Sequence, residues 1–82
     1  MKWYTYVALC RDNSFYTGIT TSIKRRELLH NKKLGAKSLF GKLPVKIVYN
    51  ELYETQKQAA KREKEIKGWR RDKKLSLIQR ST

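Results

Sequence analysis

The chain has 82 residues, 39% of them hydrophobic, and 20 Lys and Arg against 7 Asp and Glu give it a formal net charge of +13. This length predicts a single domain over residues 1–82, and the hydrophobic content excludes a disordered basic tail. The charge indicates a polyanionic partner, although an acidic protein or a membrane surface would satisfy the same sign.

Features that the sequence lacks argue against membrane and zinc proteins. No apolar run approaches the roughly 20 residues that a transmembrane helix needs, and no apolar signal segment opens the chain. Cys10 is the only cysteine, so it cannot form an internal disulfide, and with a single His it cannot complete a zinc finger. We therefore expect a cytoplasmic protein that does not act at a membrane.

The first twenty residues predict a β-hairpin. Residues 2–10 and 15–20 are rich in aromatic and β-branched side chains, and turn formers separate them. We expect a three-residue loop at residues 12–14, which pairs Cys10 with Tyr16.

The length of this loop decides which side chains share a face of the sheet. A three-residue loop places Tyr6, Tyr16 and Gly18 on one face, whereas a two-residue loop would separate the two tyrosines. Tyrosines in a hairpin usually pack, but their hydroxyls also serve as acid/base or phosphate-binding groups. We predict the odd loop and leave both roles open.

Caps and breakers delimit the remaining elements. Thr21 and Ser22 are N-cap residue types, Thr55 begins a T-x-x-Q capping box, and Gly68 interrupts the helix that follows. The predicted elements are a helix at 23–31, a basic loop at 32–44 with one helical turn at 37–40, a mostly buried strand at 45–49, and helices at 55–67 and 70–78. The order ββαβαα predicts an α+β domain with a short sheet covered by helices.

One carboxylate lies where its helix should be apolar. At about 100° per residue, Glu63 falls about 40° from Ala59, on the stripe that should face the core. Glu65 points about 120° away from Ala59 by the same count. An ionised carboxylate is costly to bury unless it is paired or bound to a metal. Glu63 is therefore either salt-bridged or at the rim of the core, or it is a metal ligand or acid/base in a cleft.

The first helix shows a similar pattern. Arg26 and His30 are four residues apart, so they share a helix face, and that face is the presumed core side. They are either an ordinary cation of a basic helix and a packed His, or a cation and a titratable imidazole held together at a cleft.

The order of these residues resembles the GIY-YIG endonuclease superfamily, and in particular its short stand-alone bacterial members. The similarity runs over nearly the whole chain, with Tyr4 in place of the leading Gly of the first motif and Thr17 in place of the middle Ile of the second. The matching segments are Tyr4-Thr5-Tyr6, Tyr16-Thr17-Gly18, Arg26-x-x-x-His30 and Ala59-Ala60-Lys61-Arg62-Glu63.

The resemblance implies a three-stranded antiparallel sheet flanked by helices. It also implies a divalent-metal-dependent endonuclease that hydrolyses phosphodiester bonds, with DNA favoured over RNA, in DNA repair or recombination. Glu63 would hold Mg²⁺, or Mn²⁺, since both prefer oxygen ligands. The side chains that the resemblance implies for catalysis are Tyr6, Tyr16, Arg26, His30 and Glu63. The chain lacks the additional binding modules of larger relatives, so its own surface or a partner protein must target it.

Two clusters of basic residues are expected to contact the phosphate backbone without reading bases. We therefore predict that binding to nucleic acid weakens with salt, and that the protein selects the structure of a nucleic acid rather than its base sequence. Trp69, beside the second cluster, either packs or stacks on an exposed base. A non-catalytic nucleic-acid-binding module and a basic protein-interaction domain remain the alternatives. The basic residues are Lys24, Arg25, Lys32, Lys33, Lys37 and Lys42 around the first helix, and Arg70 and Arg71 near the C-terminus.

Overall fold

The computed structural model of the protein describes residues 1–80 and confirms the α+β class and the order ββαβαα. The elements are β1 (Trp3–Leu9), β2 (Phe15–Thr20), α1 (Ile23–Asn31), a short 3₁₀ helix (Lys37–Lys42), β3 (Lys46–Tyr53), α2 (Gln56–Lys67) and α3 (Arg71–Arg80). Among these residues, no helix combines the length and apolar character needed to span a membrane.

The three strands form one antiparallel sheet in the order β2-β1-β3, with β1 in the centre. Successive side chains of a strand point to opposite faces. The Thr5 hydroxyl donates a hydrogen bond to the Ala59 carbonyl of α2 at 2.7 Å, while the Tyr6 hydroxyl meets His30 of α1 at 2.8 Å. The two helices therefore cover opposite faces of the sheet.

The hairpin turn corrects the predicted register. The loop has three residues, as expected, but it comprises residues 11–13, because Asn13 adopts the left-handed conformation (φ 69°) that closes this kind of turn. The Cys10 amide donates to the Ser14 carbonyl at 2.9 Å. Tyr16 consequently pairs with Ala8 rather than with Cys10.

The shift of two residues keeps the predicted faces. Tyr6 lies directly opposite Gly18, and Tyr16 lies on the same side of the sheet. The prediction that the odd loop would bring Tyr6, Tyr16 and Gly18 together is therefore confirmed, although the pairing on which it was based was wrong by two positions.

The third strand is longer and less buried than predicted. It runs from Lys46 to Tyr53 and none of its residues is fully buried. It is an edge strand with only β1 beside it. Val45 is buried but precedes the strand, and residues 46–49 are exposed or partly buried. The prediction of a mostly buried strand at 45–49 was therefore wrong.

Side chains of α1 fix that helix to the start of β3. The Asn31 side-chain amide donates to the Val45 carbonyl at 3.0 Å and accepts from the Val45 amide at 2.7 Å. Glu27 accepts a hydrogen bond from the Ile47 amide at 2.7 Å. These contacts orient α1 so that His30 reaches the core formed by Tyr6, Ala8, Cys10, Leu39 and Val45.

On the other face, Glu51 of β3 joins the sheet to α2. Its carboxylate accepts hydrogen bonds from the Tyr49 and Tyr53 hydroxyls and a two-point contact from Arg62, at 2.9 and 3.1 Å. Burial alone would raise the pKa of Glu51, but these hydrogen bonds outweigh it and hold the pKa below its ordinary value. The Arg62 guanidinium also lies 4.9 Å from the centre of the Trp69 ring.

We predict that Glu51→Gln lowers the free energy of unfolding by about 1–3 kcal/mol, because Arg62 loses a charged partner in a half-buried site. Glu54→Gln is the matched control. Its partner Lys2 is 3.4 Å away and both side chains are mostly exposed, so its loss should cost about 0.5 kcal/mol or less. Urea unfolding of the two variants checks this, and equal losses would contradict it.

Candidate active site

The five side chains that the resemblance singled out line one open cavity. This central cavity has a volume of about 400 Å³ and lies over the Gly18 segment of β2. Gly35 and Ala36, from the loop after α1, contribute to its wall, and the exposed Leu34 stands at its edge. The five are Tyr6, Tyr16, Arg26, His30 and Glu63.

Tyr6 occupies the space that a side chain at Gly18 would take. A Cβ built on Gly18 would lie 2.6 Å from the Tyr6 hydroxyl oxygen, far inside van der Waals contact. The glycine therefore lets the phenol cross β2 and present its hydroxyl to the cavity. Burial raises the pKa of this hydroxyl well above its ordinary value, so Tyr6 is protonated at neutral pH.

His30 is held on both ring nitrogens. Nε2 lies 2.8 Å from the Tyr6 hydroxyl, and Nδ1 accepts the Ala36 amide N–H at 3.4 Å. Burial, and then the nearby Arg26, lowers the pKa of the imidazole. A neutral ring that accepts at Nδ1 carries its proton on Nε2, so His30 donates to the Tyr6 oxygen and leaves the Tyr6 proton free to point into the cavity.

The loop after α1 packs tightly on the His30 ring. A Cβ on Gly35 would lie 2.1 Å from Nδ1 of His30. Lys33, two residues earlier, has a positive φ of 62° and closes the helix end. Gly35 is thus needed for space rather than for an unusual backbone angle.

Arg26 brings a charge into the cavity without a charged partner. No carboxylate lies within ion-pair distance of it in the part of the chain that the structure describes, and its buried Nε has no hydrogen-bond partner. Buried donors in folded proteins are nearly always paired. The guanidinium therefore lines the cavity without an internal counter-ion among the described residues, and an anionic oxygen is the acceptor that it matches best.

Glu63 is the only carboxylate among the residues that line the cavity. Its side chain is 20% exposed and lies 3.3 Å from Lys67, whose side chain is half-exposed. Residues 1–80 contain no group of three or more His, Cys, Asp or Glu that could hold a metal ion. A single carboxylate in an open cavity suits Mg²⁺ or Mn²⁺, which keep several water ligands, and does not suit zinc.

Tyr16 completes the wall of the cavity. Its ring stands edge-on to the His30 ring with centres 5.6 Å apart, and 6.3 Å from the Tyr6 ring. Unlike Tyr6, which is buried, Tyr16 keeps part of its side chain near solvent.

The predicted phosphate-contacting residues divide into three groups. Six of them are exposed: Lys24, Arg25, Lys32, Lys33, Lys37 and Arg70. Arg25 lines a cavity together with Arg26. Lys42 is half-buried and lies 4.0 Å from Asp12. Arg71 donates to the Asn13 carbonyl and lies over the Phe15 ring, and Trp69 packs between Arg62 and Lys73.

Comparison with known proteins decides the family. The family model for the GIY-YIG catalytic domain matches residues 2–76. The chain belongs to the GIY-YIG family. UPF0213 proteins of Staphylococcus saprophyticus and Staphylococcus haemolyticus are 46% and 42% identical to it. These alignments cover 94% and 95% of this chain, and the same percentages of the two relatives' own lengths.

The chain is also similar to solution NMR structures of a UPF0213 protein from Bacillus halodurans and a protein from E. faecalis. Those matches have TM-scores of 0.61 and 0.63, identities of 35% and 37%, and coverage of 96% of this chain and 84% of each structure.

Membership of this nuclease family accounts for the cavity but not for all of its wall. Gly35 and Ala36 lie in the loop predicted at 32–44 and resemble the corresponding segment of the short bacterial members, but neither was predicted to line the site, and Leu34 was not assigned. Nothing in the local sequence signals that the chain after α1 folds back over the His30 ring. Gly18 could be identified from the Tyr16-Thr17-Gly18 motif of the GIY-YIG family. The hairpin register explains why it is glycine, since it places Gly18 opposite Tyr6.

We predict that Gly18→Ala breaks the hydrogen bond between Tyr6 and His30, because the new Cβ displaces the phenol, and destabilises the protein by about 1–3 kcal/mol. Gly41→Ala is the control, since nothing lies within 4 Å of a Cβ there. The ¹⁵N shifts of the His30 ring and urea unfolding report the two effects. An unchanged His30 signal in Gly18→Ala would contradict the close approach.

The lowered pKa of His30 predicts a pH dependence of stability. In the unfolded chain a His takes up its proton near pH 6.5, whereas folded His30 does so at lower pH. Below about pH 6.5 the unfolded state therefore binds more protons, and stability falls as the pH falls. Going from about pH 7.5 to about pH 5.5 should destabilise the wild type more than His30→Gln in urea unfolding. Equal losses in the two proteins would contradict the lowered pKa.

Proposed function

We propose that the protein is a divalent-metal-dependent endonuclease that hydrolyses phosphodiester bonds in DNA. One observation carries the proposal: five side chains from both strands of the hairpin and from two helices line the same cavity, namely Tyr6, Tyr16, Arg26, His30 and Glu63. A packing role would not require two tyrosines, a cation, an imidazole and a carboxylate to converge at an opening to solvent. Membership of the GIY-YIG family supports the reaction class.

Arg26 is the residue that binds the reacting phosphate in this proposal. Its guanidinium is planar and permanently charged, and it lines the cavity with no carboxylate within ion-pair distance among the described residues. A phosphate oxygen in the cavity would supply the missing anionic partner. As the phosphorus adds a fifth oxygen, the negative charge on its oxygens grows, so the contact strengthens in the transition state.

Glu63 is the residue that holds the metal ion, Mg²⁺ or Mn²⁺. When bound, such an ion polarises the phosphate and stabilises the leaving oxygen. The pair with Lys67 does not prevent this role, because i,i+4 pairs on an exposed helix surface are weak.

The two tyrosines divide the remaining tasks. The Tyr16 hydroxyl orients the attacking water. Tyr6 keeps its proton, because burial raises its pKa, and donates it as a hydrogen bond within the cavity. His30 acts as a positioning residue that fixes the Tyr6 hydroxyl through Nε2. We do not assign His30 the role of proton acceptor, since its hydrogen-bonded tautomer already carries a proton on the nitrogen that faces Tyr6.

The substrate is proposed to be selected by its shape rather than its sequence. The exposed lysines and arginines around α1 suit phosphate contacts, which carry no base information. DNA is favoured over RNA on the family resemblance, with repair or recombination as the setting. A partner protein would contribute targeting, and the lone Cys10 suits a cytoplasmic location.

We predict that Glu63→Gln abolishes metal-dependent cleavage, by at least about a hundredfold, because several kcal/mol of transition-state stabilisation are lost. Glu65→Gln is the matched control. Glu65 lies on the same helix, but it is half-exposed and pairs with Arg62 outside the cavity. End-labelled linear, flapped and branched DNA, with RNA counterparts, would be incubated with Mg²⁺, Mn²⁺ or chelator.

The pattern of cleavage decides between this proposal and a non-catalytic nucleic-acid-binding module. Metal-dependent cutting by the wild type and Glu65→Gln, but not by Glu63→Gln, supports the nuclease. Salt-sensitive binding by all three without any cutting favours the binding module, in which removing the Glu63 charge leaves affinity unchanged or improved.

A further inference from the structure

A second cavity lies beside the central one at the beginning of α1. This helix-start cavity has a volume of about 260 Å³. Its lining consists of three hydroxyl residues, two arginines and one leucine: Thr20, Thr21, Ser22, Arg25, Arg26 and Leu29. Arg26 lines both cavities, so a single guanidinium side chain stands between them.

The charge in the helix-start cavity is uncompensated. Neither Arg25 nor Arg26 has a carboxylate within ion-pair distance among residues 1–80, and the first turn of α1 contains no acidic residue. Arg62, by contrast, contacts both Glu51 and Glu65. Glu27, the one carboxylate of α1, accepts a hydrogen bond from the Ile47 amide and forms no ion pair with either arginine, so the arginines are left for another anion.

Donor groups on the lining of the cavity are available to a ligand. Arg25 and Arg26 contribute their guanidinium groups. The Thr21 residue is exposed, and its hydroxyl makes no hydrogen bond within residues 1–80. The Ser22 hydroxyl caps only the Arg25 amide, at 3.4 Å. Hydroxyl and guanidinium groups are donors that proteins use for phosphate.

We propose that the helix-start cavity is a second phosphate subsite, which binds the phosphate next to the scissile one on the same strand. This inference rests on the proposed nuclease function, which places the scissile phosphate in the central cavity. Arg26 carries five N–H donors in a planar fork, so it can face both phosphates. The substrate is therefore a strand with at least two consecutive charged phosphates, and Arg25 and Thr21 determine how tightly it is held.

Arg25→Ala and Lys46→Ala distinguish a built subsite from general attraction. Both residues are exposed and each substitution removes one positive charge, but only Arg25 lines the helix-start cavity, and Lys46 is not among the predicted phosphate-contacting residues. Arg25→Ala should raise KM by about tenfold or more, the size of a lost charged hydrogen bond, with kcat changed by less than about threefold. Lys46→Ala should change KM by less than about threefold. Equal effects of the two substitutions would overturn the proposal.

Removing a charge from the nucleic acid, rather than from the protein, tests the same subsite. A single neutral methylphosphonate linkage would be introduced on either side of the mapped cleavage position. One of the two should reduce cleavage by the wild type by about tenfold, and that loss should nearly disappear in Arg25→Ala because the contact is already absent. If neither linkage matters, or if the loss is the same in both proteins, no second subsite exists.

A titration with inorganic phosphate separates this inference from the proposed function. Amide NMR signals of residues 21–25 should shift in the wild type and in Lys46→Ala but not in Arg25→Ala. If that pattern appears in a protein that cuts no nucleic acid, the subsite stands and the nuclease proposal fails. If the shifts are spread over the surface lysines or persist in Arg25→Ala, the subsite fails whatever the protein cuts.

Discussion

Tyr6 lies opposite Gly18 in the sheet, and its hydroxyl fills the space that any side chain on Gly18 would need. The rest of the cavity depends on this close approach. The hydroxyl can reach His30 only from that position, and the hydrogen bond between them ties α1 to β1. The His30 ring in turn forms the surface on which Gly35 packs, so hairpin, helix and following loop are positioned by one contact after another.

The charge of the protein is divided unevenly between its two faces. On the α2 face, Glu51 gathers Arg62 and two tyrosyl hydroxyls into a satisfied network, in which the pKa of Tyr49 and that of Tyr53 are raised to about 12, mainly by burial and then by the bond to Glu51. On the α1 face, neither Arg25 nor Arg26 has a carboxylate within ion-pair distance among residues 1–80. The first arrangement holds the sheet to its helix. The second leaves positive potential where two cavities open.

Much of the fold could be predicted from local signals. The Ser22 and Thr55 caps and the Gly68 breaker give α1 and α2 nearly to the residue, because these signals act within one helical turn. Helical periodicity also separated Glu63 from Glu65. The hairpin register was wrong by two residues because it depends on the left-handed conformation of Asn13, which Asn favours but does not require.

Contacts between residues that are distant in the sequence could not be predicted from local signals. The Tyr49-Asn50-Glu51-Leu52-Tyr53 alternation on β3 did carry a signal, since it places a carboxylate between two phenols on one face, but its partner Arg62 is eleven residues away on another element. Gly35 could be placed in a loop but not against His30, because that contact depends on the path of the chain after α1. The role of a residue that depends on contacts between distant segments can be assigned only from the structure.

Arg26 shows that ligand binding and folding stability can place opposite demands on one residue of a small domain. Its buried Nε lacks a partner, and a buried unsatisfied donor costs the folded state about 1–3 kcal/mol. A carboxylate placed beside it would remove that cost, but it would also occupy the position that a phosphate oxygen needs. A domain of 82 residues has little stability to spare. The fully satisfied network around Glu51, on the opposite face, offsets the deficit without competing for the ligand.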